Sequence, residues 1–116
     1  MPQASHLAVP SQGASALRGL AELFPNASPL RMPITVRATR GDGHRLEDHT
    51  VIEFGTSMIV FFDSRLPLEL ANKIQLENFD GSLRAEAVVV AVRDGAGRRA
   101  IAARFVAEVR NWIIQG

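Results

Sequence analysis

Two of the three histidines, His44 and His49, stand close together and are interspersed with acidic residues at positions 42, 47 and 48. Imidazole nitrogens and carboxylate oxygens are common ligands of zinc and of harder divalent cations. These residues surround a predicted hairpin turn, where no rigid element fixes the positions of the ligands. A solvated turn is therefore the favoured interpretation, and no metal site is predicted.

Carboxylates suited to general acid–base catalysis are few and scattered. The candidates are Glu47, Asp48, Glu53 and Asp63, and no pattern places two of them in one apolar pocket. The chain has no cysteine, which excludes a thiol nucleophile, a disulfide framework and a thiolate metal site. It also lacks a nucleophile elbow, a phosphate-binding loop and a dinucleotide-binding motif. We therefore predict no catalytic residues and no cofactor, and the protein is not expected to be an enzyme.

The basic residues are almost all arginine, since Lys73 is the single lysine. Guanidinium groups bind phosphate and carboxylate through pairs of parallel hydrogen bonds. The arginines form two groups, one entering the first strand and one on the last hairpin: Arg31, Arg37 and Arg40, and Arg98, Arg99 and Arg104. If the first and last strands are neighbours in a closed barrel, the two groups converge on one phosphate. The alternative is a set of solvated side chains on strand faces.

Nucleic acid is a second candidate ligand for an arginine-rich chain. The net charge of +1 gives little long-range attraction for a polyanion. Single-stranded nucleic acid also requires exposed aromatic rings for stacking. The chain has no tyrosine, and most of its phenylalanines, like Trp112, occupy positions expected in the core. A small barrel that binds nucleic acid is therefore kept as the alternative function, and nucleic acid is not the expected partner.

The elements that must position these residues follow from the periodicity of the apolar side chains. Residues 1–13 are rich in proline, serine and glutamine, which predicts a flexible N-terminal arm. Residues 14–30 are predicted to form a helix and a linker. One face of that helix carries an apolar stripe, formed by Leu17, Leu20, Ala21 and Phe24. This face either covers the barrel or contacts a partner, and we favour the cover.

Apolar alternation with a period of two follows Pro29 and predicts six strands within residues 31–116. Short turns leave no room for crossover helices, so the strands are antiparallel, and closure into a barrel removes exposed edges. Val106, Val109 and Ile113 have helical spacing. The predicted fold is therefore mainly β: a six-stranded antiparallel β-barrel with a short N-terminal helix and a short C-terminal helix.

Two details of the later strands follow from the same pattern. Asp80-Gly81 favours a two-residue type I′ turn, with Phe79 continuing the alternation of the strand before it. In the long strand after this turn, every second residue is predicted to face the interior: Leu83, Ala85, Ala87, Val89 and Ala91.

From Arg31 to Phe105 the order of these segments resembles the PilZ domain, a six-stranded barrel family that commonly serves as a receptor for cyclic di-GMP. The resemblance is carried by LRMPITVRATRGDG, HTVIEFGTSMIVFF, LPLELANKIQLENFDG and LRAEAVVVAVRDGAGRRAIAARF. The last segment ends in an arginine–phenylalanine pair, Arg104-Phe105, as is typical of the family. The resemblance implies a PilZ-like barrel over residues 31–116 and a role in bacterial signalling.

The family's nucleotide-binding motifs are not intact in this chain. Binding members carry R-x-x-x-R before the first strand and D/N-x-S-x-x-G after the second. On the matching positions Glu53 replaces the acid or amide, Gly55 the serine and Met58 the glycine, and Arg31 stands without a second arginine. The motif positions and the arginine groups together give these candidate ligand-binding residues: Arg31, Arg37, Glu53, Gly55, Ser57, Met58 and Arg104.

The expected function is that of a non-catalytic receptor or adaptor in cyclic di-GMP signalling. Cyclic di-GMP remains the candidate ligand, with binding weakened or lost, and a protein is the expected partner. The first residues show neither the basic segment nor the apolar core of a secretion signal, and no stretch reaches the length of a membrane span. We therefore expect a cytoplasmic protein that does not insert into a membrane.

Overall fold

The structure, a computed structural model, describes residues 16–109 and 112–114. It is a closed antiparallel barrel of six strands, and one helix, α1, covers residues 16–22. The predicted barrel and N-terminal helix are thus confirmed. The strands are β1 (Ser28–Thr39), β2 (Arg45–Gly55), β3 (Ile59–Ser64), β4 (Lys73–Asn78), β5 (Arg84–Asp94) and β6 (Arg99–Phe105).

The strand order around the barrel is β1-β2-β3-β6-β5-β4, and β4 closes onto β1. The first strand therefore lies between β2 and β4, and the last lies between β3 and β5. The condition for convergence of the two arginine groups, that the first and last strands are neighbours, is not met, because β4 rather than β6 completes the closure. The two arginine groups do not meet across a shared strand pair.

The barrel interior is filled by its own side chains, as expected for a small barrel. Alternate residues of all six strands point inward and are buried: Ile34, Val36, Ile52, Val60, Phe62, Ile74, Leu76, Ala87, Val89, Ile101, Ala103 and Phe105. No helix in the described residues is long and apolar enough to cross a membrane.

Helix α1 packs on the outer wall of the barrel rather than over one of its ends. Leu17, Leu20 and Ala21 form a second apolar cluster with Phe61 of β3 and with alanines of β6. The Phe24 ring meets Phe61 edge-on, with centroids 5.1 Å apart. The predicted apolar stripe therefore covers the barrel, and β3 and β6 are buried on both faces.

Strand β1 begins at Ser28, inside the segment predicted as helix and linker. It contains Pro29 and Pro33, which cannot donate backbone hydrogen bonds. Pairing with β4 starts only at Ile34, so the earlier residues have one strand neighbour, on β2. A strand segment that pairs on one side only tolerates prolines, because its unpaired side needs no backbone donor. The prolines therefore do not prevent a strand where a linker was predicted.

The connection between β4 and β5 is a four-residue loop, not a two-residue turn. The Asn78 N–H donates to the Leu83 carbonyl at 3.1 Å, and the Leu83 N–H donates to Asn78 Oδ1 at 2.9 Å. Gly81 is the one residue of this loop with a positive φ, whereas a type I′ turn needs two consecutive residues with positive φ. Phe79 is 98% exposed at its start, so its predicted inward position is also wrong.

A β-bulge reverses the facing of β5 near its end. The register with β6 shifts between Val89 and Ala91, which leaves Val90 as an extra residue that is partly exposed. Ala91 consequently packs in the α1 cluster, while Val92 joins the interior. The predicted inward position of Ala91 is wrong because strict alternation cannot anticipate a bulge.

The chain after β6 forms no helix in residues 106–109 and 112–114, so the predicted C-terminal helix is not found where the structure describes this segment. The Val106 N–H instead donates to the Glu86 carbonyl at 2.9 Å. The Trp112 ring meets Phe105 edge-on, with centroids 5.4 Å apart. Of the three residues with helical spacing, Val109 packs against the interior cluster, whereas Val106 and Ile113 are more than half exposed, so they share no buried face.

Candidate functional site

The end of β2 and the turn to β3 carry the positions on which the resemblance placed the nucleotide motif. Thr56 Oγ1 accepts hydrogen bonds from the Met58 N–H at 3.1 Å and the Ile59 N–H at 3.0 Å. The Thr56 N–H donates to the Ile59 carbonyl at 2.8 Å, and Ser57 lies half-buried within the turn. Three backbone donors of this segment, the N–H groups of Thr56, Met58 and Ile59, are therefore engaged within the turn itself.

Gly55 is buried beneath three apolar side chains. A Cβ at this position would lie 3.0 Å from Leu30, 3.2 Å from Trp112 and 3.3 Å from Ile114. The Trp112 indole N–H donates to the Thr56 carbonyl at 2.8 Å and fixes the ring in place. A serine at this position would require the three side chains to shift by a few tenths of an ångström, so the tight packing favours glycine here.

Met58 and Phe105 close the same end of the barrel. The Met58 side chain packs against the interior cluster, and its carbonyl accepts the Phe105 N–H at 2.8 Å. Met58 therefore acts as a core residue and does not line an open ligand site.

Arg31 and Glu53 face each other at a bulge on this side of the barrel. The β1–β2 register shifts between Pro29 and Met32, so Leu30 and Arg31 stand opposite Glu53. Arg31 is exposed and has no ion pair within the described residues. It lies inside β1, not in an arm before the strand as the family's motif would require.

The structure brings six of the seven candidate residues to one end of the barrel: Arg31, Glu53, Gly55, Ser57, Met58 and Arg104. Arg104 lies exposed on the outer wall, where it pairs in register with Ile59 and Val88. Arg37 lies toward the other end of β1 and does not join them.

Arg37 belongs to a ladder of charges across the outer wall. Its Nε lies 3.0 Å from Glu47 on β2, and its Nη1 lies 2.9 Å from Glu77 on β4. Arg84 on β5 completes the ladder, with its Nε 2.9 Å from Glu77. Hydrogen bonds from Arg37 and Arg84 lower the pKa of Glu77. Arg37 is thus engaged by carboxylates, which a ligand phosphate would have to replace.

The buried carboxylate of Asp48 has a structural role. It accepts hydrogen bonds from the Ser64 hydroxyl at 2.9 Å and the Arg65 N–H at 3.1 Å. Burial disfavours its charge, but these two donors hold the pKa of Asp48 below its ordinary value. Asp48 therefore ties β2 to the end of β3, and its other oxygen, Oδ1, lies 3.7 Å from Arg65 Nη2.

Asp63 lies on the outer face of β3, and among the acids of the described residues its pKa departs furthest from the ordinary value. Burial, with the nearby charge of Glu53, raises the pKa of Asp63 to about 6, against an opposing effect of Arg98. Arg98 Nη2 lies 3.5 Å from the Asp63 carbonyl, and its buried Nε has no hydrogen-bond partner. The sequence indicated Asp63 as a candidate acid. It did not indicate that Arg98 lies beside Asp63, because this depends on how the turn before β6 folds.

The histidines of the hairpin remain on the surface. His49 Nδ1 lies 3.1 Å from the Thr35 hydroxyl, and His49 Nε2 lies 3.5 Å from Glu47. His44 lies 4.0 Å from Asp42. Within residues 16–109 and 112–114, no three histidine, aspartate or glutamate side chains are grouped to hold a metal ion.

An open groove of about 980 Å³ lies toward the other end of the barrel. We call it the hairpin groove, because the end of the β1–β2 hairpin forms one wall and residues 67–73, with the start of β4, form the other. The apolar residues around it are Ala38, Leu46, Pro67, Leu68 and Ile74, of which Leu68 and Ile74 are buried in the interior. Sequence reasoning missed this groove, because its two walls are distant in the chain and meet only through the β1–β4 pairing.

A scan against models of known protein families and a search of curated proteins find no match to this chain.

Proposed function

We propose that the protein is a PilZ-like adaptor of bacterial cyclic di-GMP signalling that acts in the cytoplasm through protein contacts, with nucleotide binding weak or lost. It is non-catalytic in this proposal. The closed six-stranded barrel, in the element order expected from the sequence, agrees with the PilZ-like assignment.

The observation that carries the proposal is the apolar cover over Gly55. Leu30, Trp112 and Ile114 lie where a side chain at Gly55 would project, and the indole is anchored on Thr56. A nucleotide approaching this turn would meet the chain's own side chains. Displacing them would expose buried apolar surface, at about 25 cal/mol for each Å².

The charges near this turn also argue against tight nucleotide binding. Arg31 is an exposed cation at the bulge, and Glu53 is the residue opposite it in the strand register. A single arginine forms only one forked contact with a phosphate, and the family's motif supplies two.

Nucleic acid is less well supported as the ligand. Arg37 and Arg84 share Glu77, and Arg99 lies 3.5 Å from Asp94. Carboxylates interleaved with arginines on neighbouring strands break up any continuous basic stripe, which sequence-independent binding to phosphates requires.

The proposal is tested by calorimetric titration of the protein with cyclic di-GMP. We expect no saturable heat up to several hundred micromolar nucleotide, for the native protein and for Arg31→Ala. The matched control is Arg40→Ala, which removes an exposed arginine from the other end of β1.

Saturable heat that disappears in Arg31→Ala but persists in Arg40→Ala would overturn the proposed loss of nucleotide binding. The protein would then be a receptor whose Gly55 cover opens for the ligand. Heat lost equally in both variants would overturn the assignment of the ligand to this turn.

A further inference from the structure

Strand β2 has an open edge over residues 45–49, which we call the β2 edge. Pairing with β3 covers the part of β2 from Ile52 to Gly55, so the β2 edge has one strand neighbour, β1. After β3 the chain leaves the sheet, because the Arg65 N–H donates to the Asp48 side chain at 3.1 Å. Within the part of the chain described, the β2 edge is therefore unpaired on the side away from β1.

The backbone groups of alternate residues point out of the β2 edge. At the end of the hairpin the Arg40 N–H donates to the His44 carbonyl at 2.7 Å, and the register with β1 is regular along the whole edge. Backbone groups of an antiparallel strand alternate between its two sides. The even-numbered residues therefore bond to β1, and Arg45, Glu47 and His49 direct their N–H and C=O groups to the open side. Such groups form a template for another strand.

Two devices that commonly prevent pairing at an edge are missing from the β2 edge. It contains no proline, and its register shows no bulge. The first part of β1, which also has one strand neighbour, contains both, in Pro29, Pro33 and the register shift between Pro29 and Met32. Charged side chains are the device that remains at the β2 edge, so their order decides which strand can pair there.

The order of charges on the β2 edge is complementary to itself. Arg45 and Glu47 are exposed on one face of the strand, and Leu46, on the other face, is half-buried. If two such edges pair antiparallel with Leu46 at the centre, each Arg45 stands opposite the Glu47 of the other copy. These are the positions whose backbone groups point to the open side, so hydrogen bonds and charge attraction coincide. Two-fold symmetry supplies the contact twice.

The neighbouring registers that backbone hydrogen bonding allows are disfavoured by charge. A register centred on Arg45 places two guanidinium groups opposite each other, and a register centred on Glu47 places two carboxylates opposite each other. Like charges directly opposite on paired strands are destabilising. The order of residues 45–47 therefore selects one register.

Both charged side chains are available for this contact. Arg45 forms no ion pair within the described residues. Glu47 Oε1 lies 3.0 Å from Arg37, whereas its Oε2 has His49 at 3.5 Å as its neighbour. The second oxygen of Glu47 can therefore accept a guanidinium from another copy while the first keeps its contact with Arg37.

We propose that the protein forms a two-fold dimer in which the β2 edges of two copies pair antiparallel, with Leu46 at the axis. The partner is a second copy of this chain, because the edge complements itself in both register and charge. The contact is short and belongs to the class of small, weak interfaces. This inference goes beyond the adaptor function proposed above and does not rest on it.

The first test is sedimentation equilibrium at protein concentrations up to roughly 500 µM, a range suited to a small interface. We expect a monomer–dimer equilibrium that shifts toward monomer as salt is added, because salt screens exposed charges. Arg45→Glu and Glu47→Arg should each raise the dissociation constant by roughly tenfold or more, because each variant turns both attractions into repulsions. Circular dichroism checks that the variants are folded.

The pairing register is tested by combining the two reversals. An equal mixture of Arg45→Glu and Glu47→Arg should associate again, because every opposite pair then joins an arginine to a glutamate. The double variant Arg45→Glu/Glu47→Arg should also dimerise, for the same reason. Arg31→Glu is the matched control, since it reverses an exposed arginine at the other end of the barrel and should leave the dissociation constant unchanged.

A disulfide provides a second test, because the chain has no cysteine of its own. Leu46→Cys places one thiol on each side of the axis, in a pair without backbone hydrogen bonds. Cα atoms of such pairs lie about 4.5 Å apart, within the range that a disulfide spans. Mild oxidation should give a covalent dimer for Leu46→Cys and none for Ser82→Cys, which is exposed on the β4–β5 loop.

Several results would overturn the proposal. These are a monomer at every concentration, a dimer that persists in both single reversals, and mixed variants that do not associate. A dimer weakened equally by Arg31→Glu would assign the association to overall charge. Equal cross-linking of Leu46→Cys and Ser82→Cys would mean that the copies meet in no fixed register.

Discussion

The outer wall of this barrel has two unlike regions. On β3 and β6 the outward residues Phe61, Ala100 and Ala102 are buried under α1. On β2, β1, β4 and β5 the outward residues include the ladder of Glu47, Arg37, Glu77 and Arg84. We call these the covered wall and the charged wall. One barrel thus presents an apolar outer face to its own helix and a polar outer face to solvent.

The difference between the covered wall and the charged wall explains why two kinds of hydrophobic pattern occur in the strands of one barrel. The covered wall comes from nearly continuous apolar runs, as in residues 59–62 and 100–103, because both faces of those strands are buried. The charged wall comes from alternating runs, because one face meets water. The energetic consequence is that substitutions on the two walls should differ greatly in cost.

The largest contrast is expected from an introduced charge. Ala102→Asp places a carboxylate beneath α1 without a partner and should destabilise the fold by about 3–5 kcal/mol, enough to leave much of it unfolded. The matched change on the charged wall, Thr35→Asp, should cost less than about 1 kcal/mol. Urea unfolding measures both. Similar midpoints for the two variants would contradict burial of the covered wall.

The next effect is expected from truncating the helix contact. Leu17→Ala removes a fully buried side chain and should cost about 2–4 kcal/mol. Leu23→Ala, which is 65% exposed just after α1, should cost less than about 0.5 kcal/mol. Thermal unfolding of both variants gives the comparison, and equal losses would mean that α1 is not docked through Leu17.

A smaller effect, dependent on pH, is expected at Asp63. Its pKa in the fold is about 6 against an ordinary 3.8, so the stability from this group is present below pH 3.8 and is lost as the pH rises through 6. Asp63→Asn should therefore stabilise the protein at pH 8 by about 1 kcal/mol, after allowance for solvent screening at this half-exposed site.

The gain from Asp63→Asn should disappear near pH 3, below both pKa values, where the native carboxyl is largely protonated in the folded and the unfolded state. Urea unfolding at the two pH values checks this, with Glu22→Gln on the exposed face of α1 as the control. A gain that does not change with pH would contradict the raised pKa as its cause.

The smallest effect is expected on the charged wall itself. Arg37→Ala breaks contacts with Glu47 and Glu77 that are open to solvent, and exposed ion pairs contribute little. The loss of stability should be smaller than the change at Asp63, and it should vanish at about 1 M salt, where the screening length is about 3 Å. A loss that persists at high salt would assign the effect to packing.

Much of the barrel could be predicted from alternation alone. Ile34, Val36, Ile74 and Leu76 lie inward as the period of two requires, and the apolar face at Leu17 finds the barrel. Prediction failed where a local device interrupts the period. The bulge at Val90 turns Ala91 outward, and the four-residue loop leaves Phe79 in solvent.

The candidate site was predictable only in part. The sequence places Glu53, Gly55 and Met58 in one short turn, since they are neighbours in the chain. It does not reveal that Trp112 covers Gly55, because an aromatic residue far along the chain can pack at many sites. Arg37 and Arg104 were grouped with this turn by residue type; the structure places Arg37 toward the other end of β1, whereas Arg104 pairs with Ile59 directly after the turn and is exposed on the outer wall.

The sequence by itself determined the strands, their antiparallel direction and the face of each that is apolar, because these depend on residues close together in the chain. Only the tertiary structure decided the strand order, the cover over Gly55, the setting of Asp63 and the hairpin groove. Those features depend on which distant segments meet when β4 closes onto β1. Hydrophobic burial is non-directional, so the local pattern of apolar residues does not determine which segments meet.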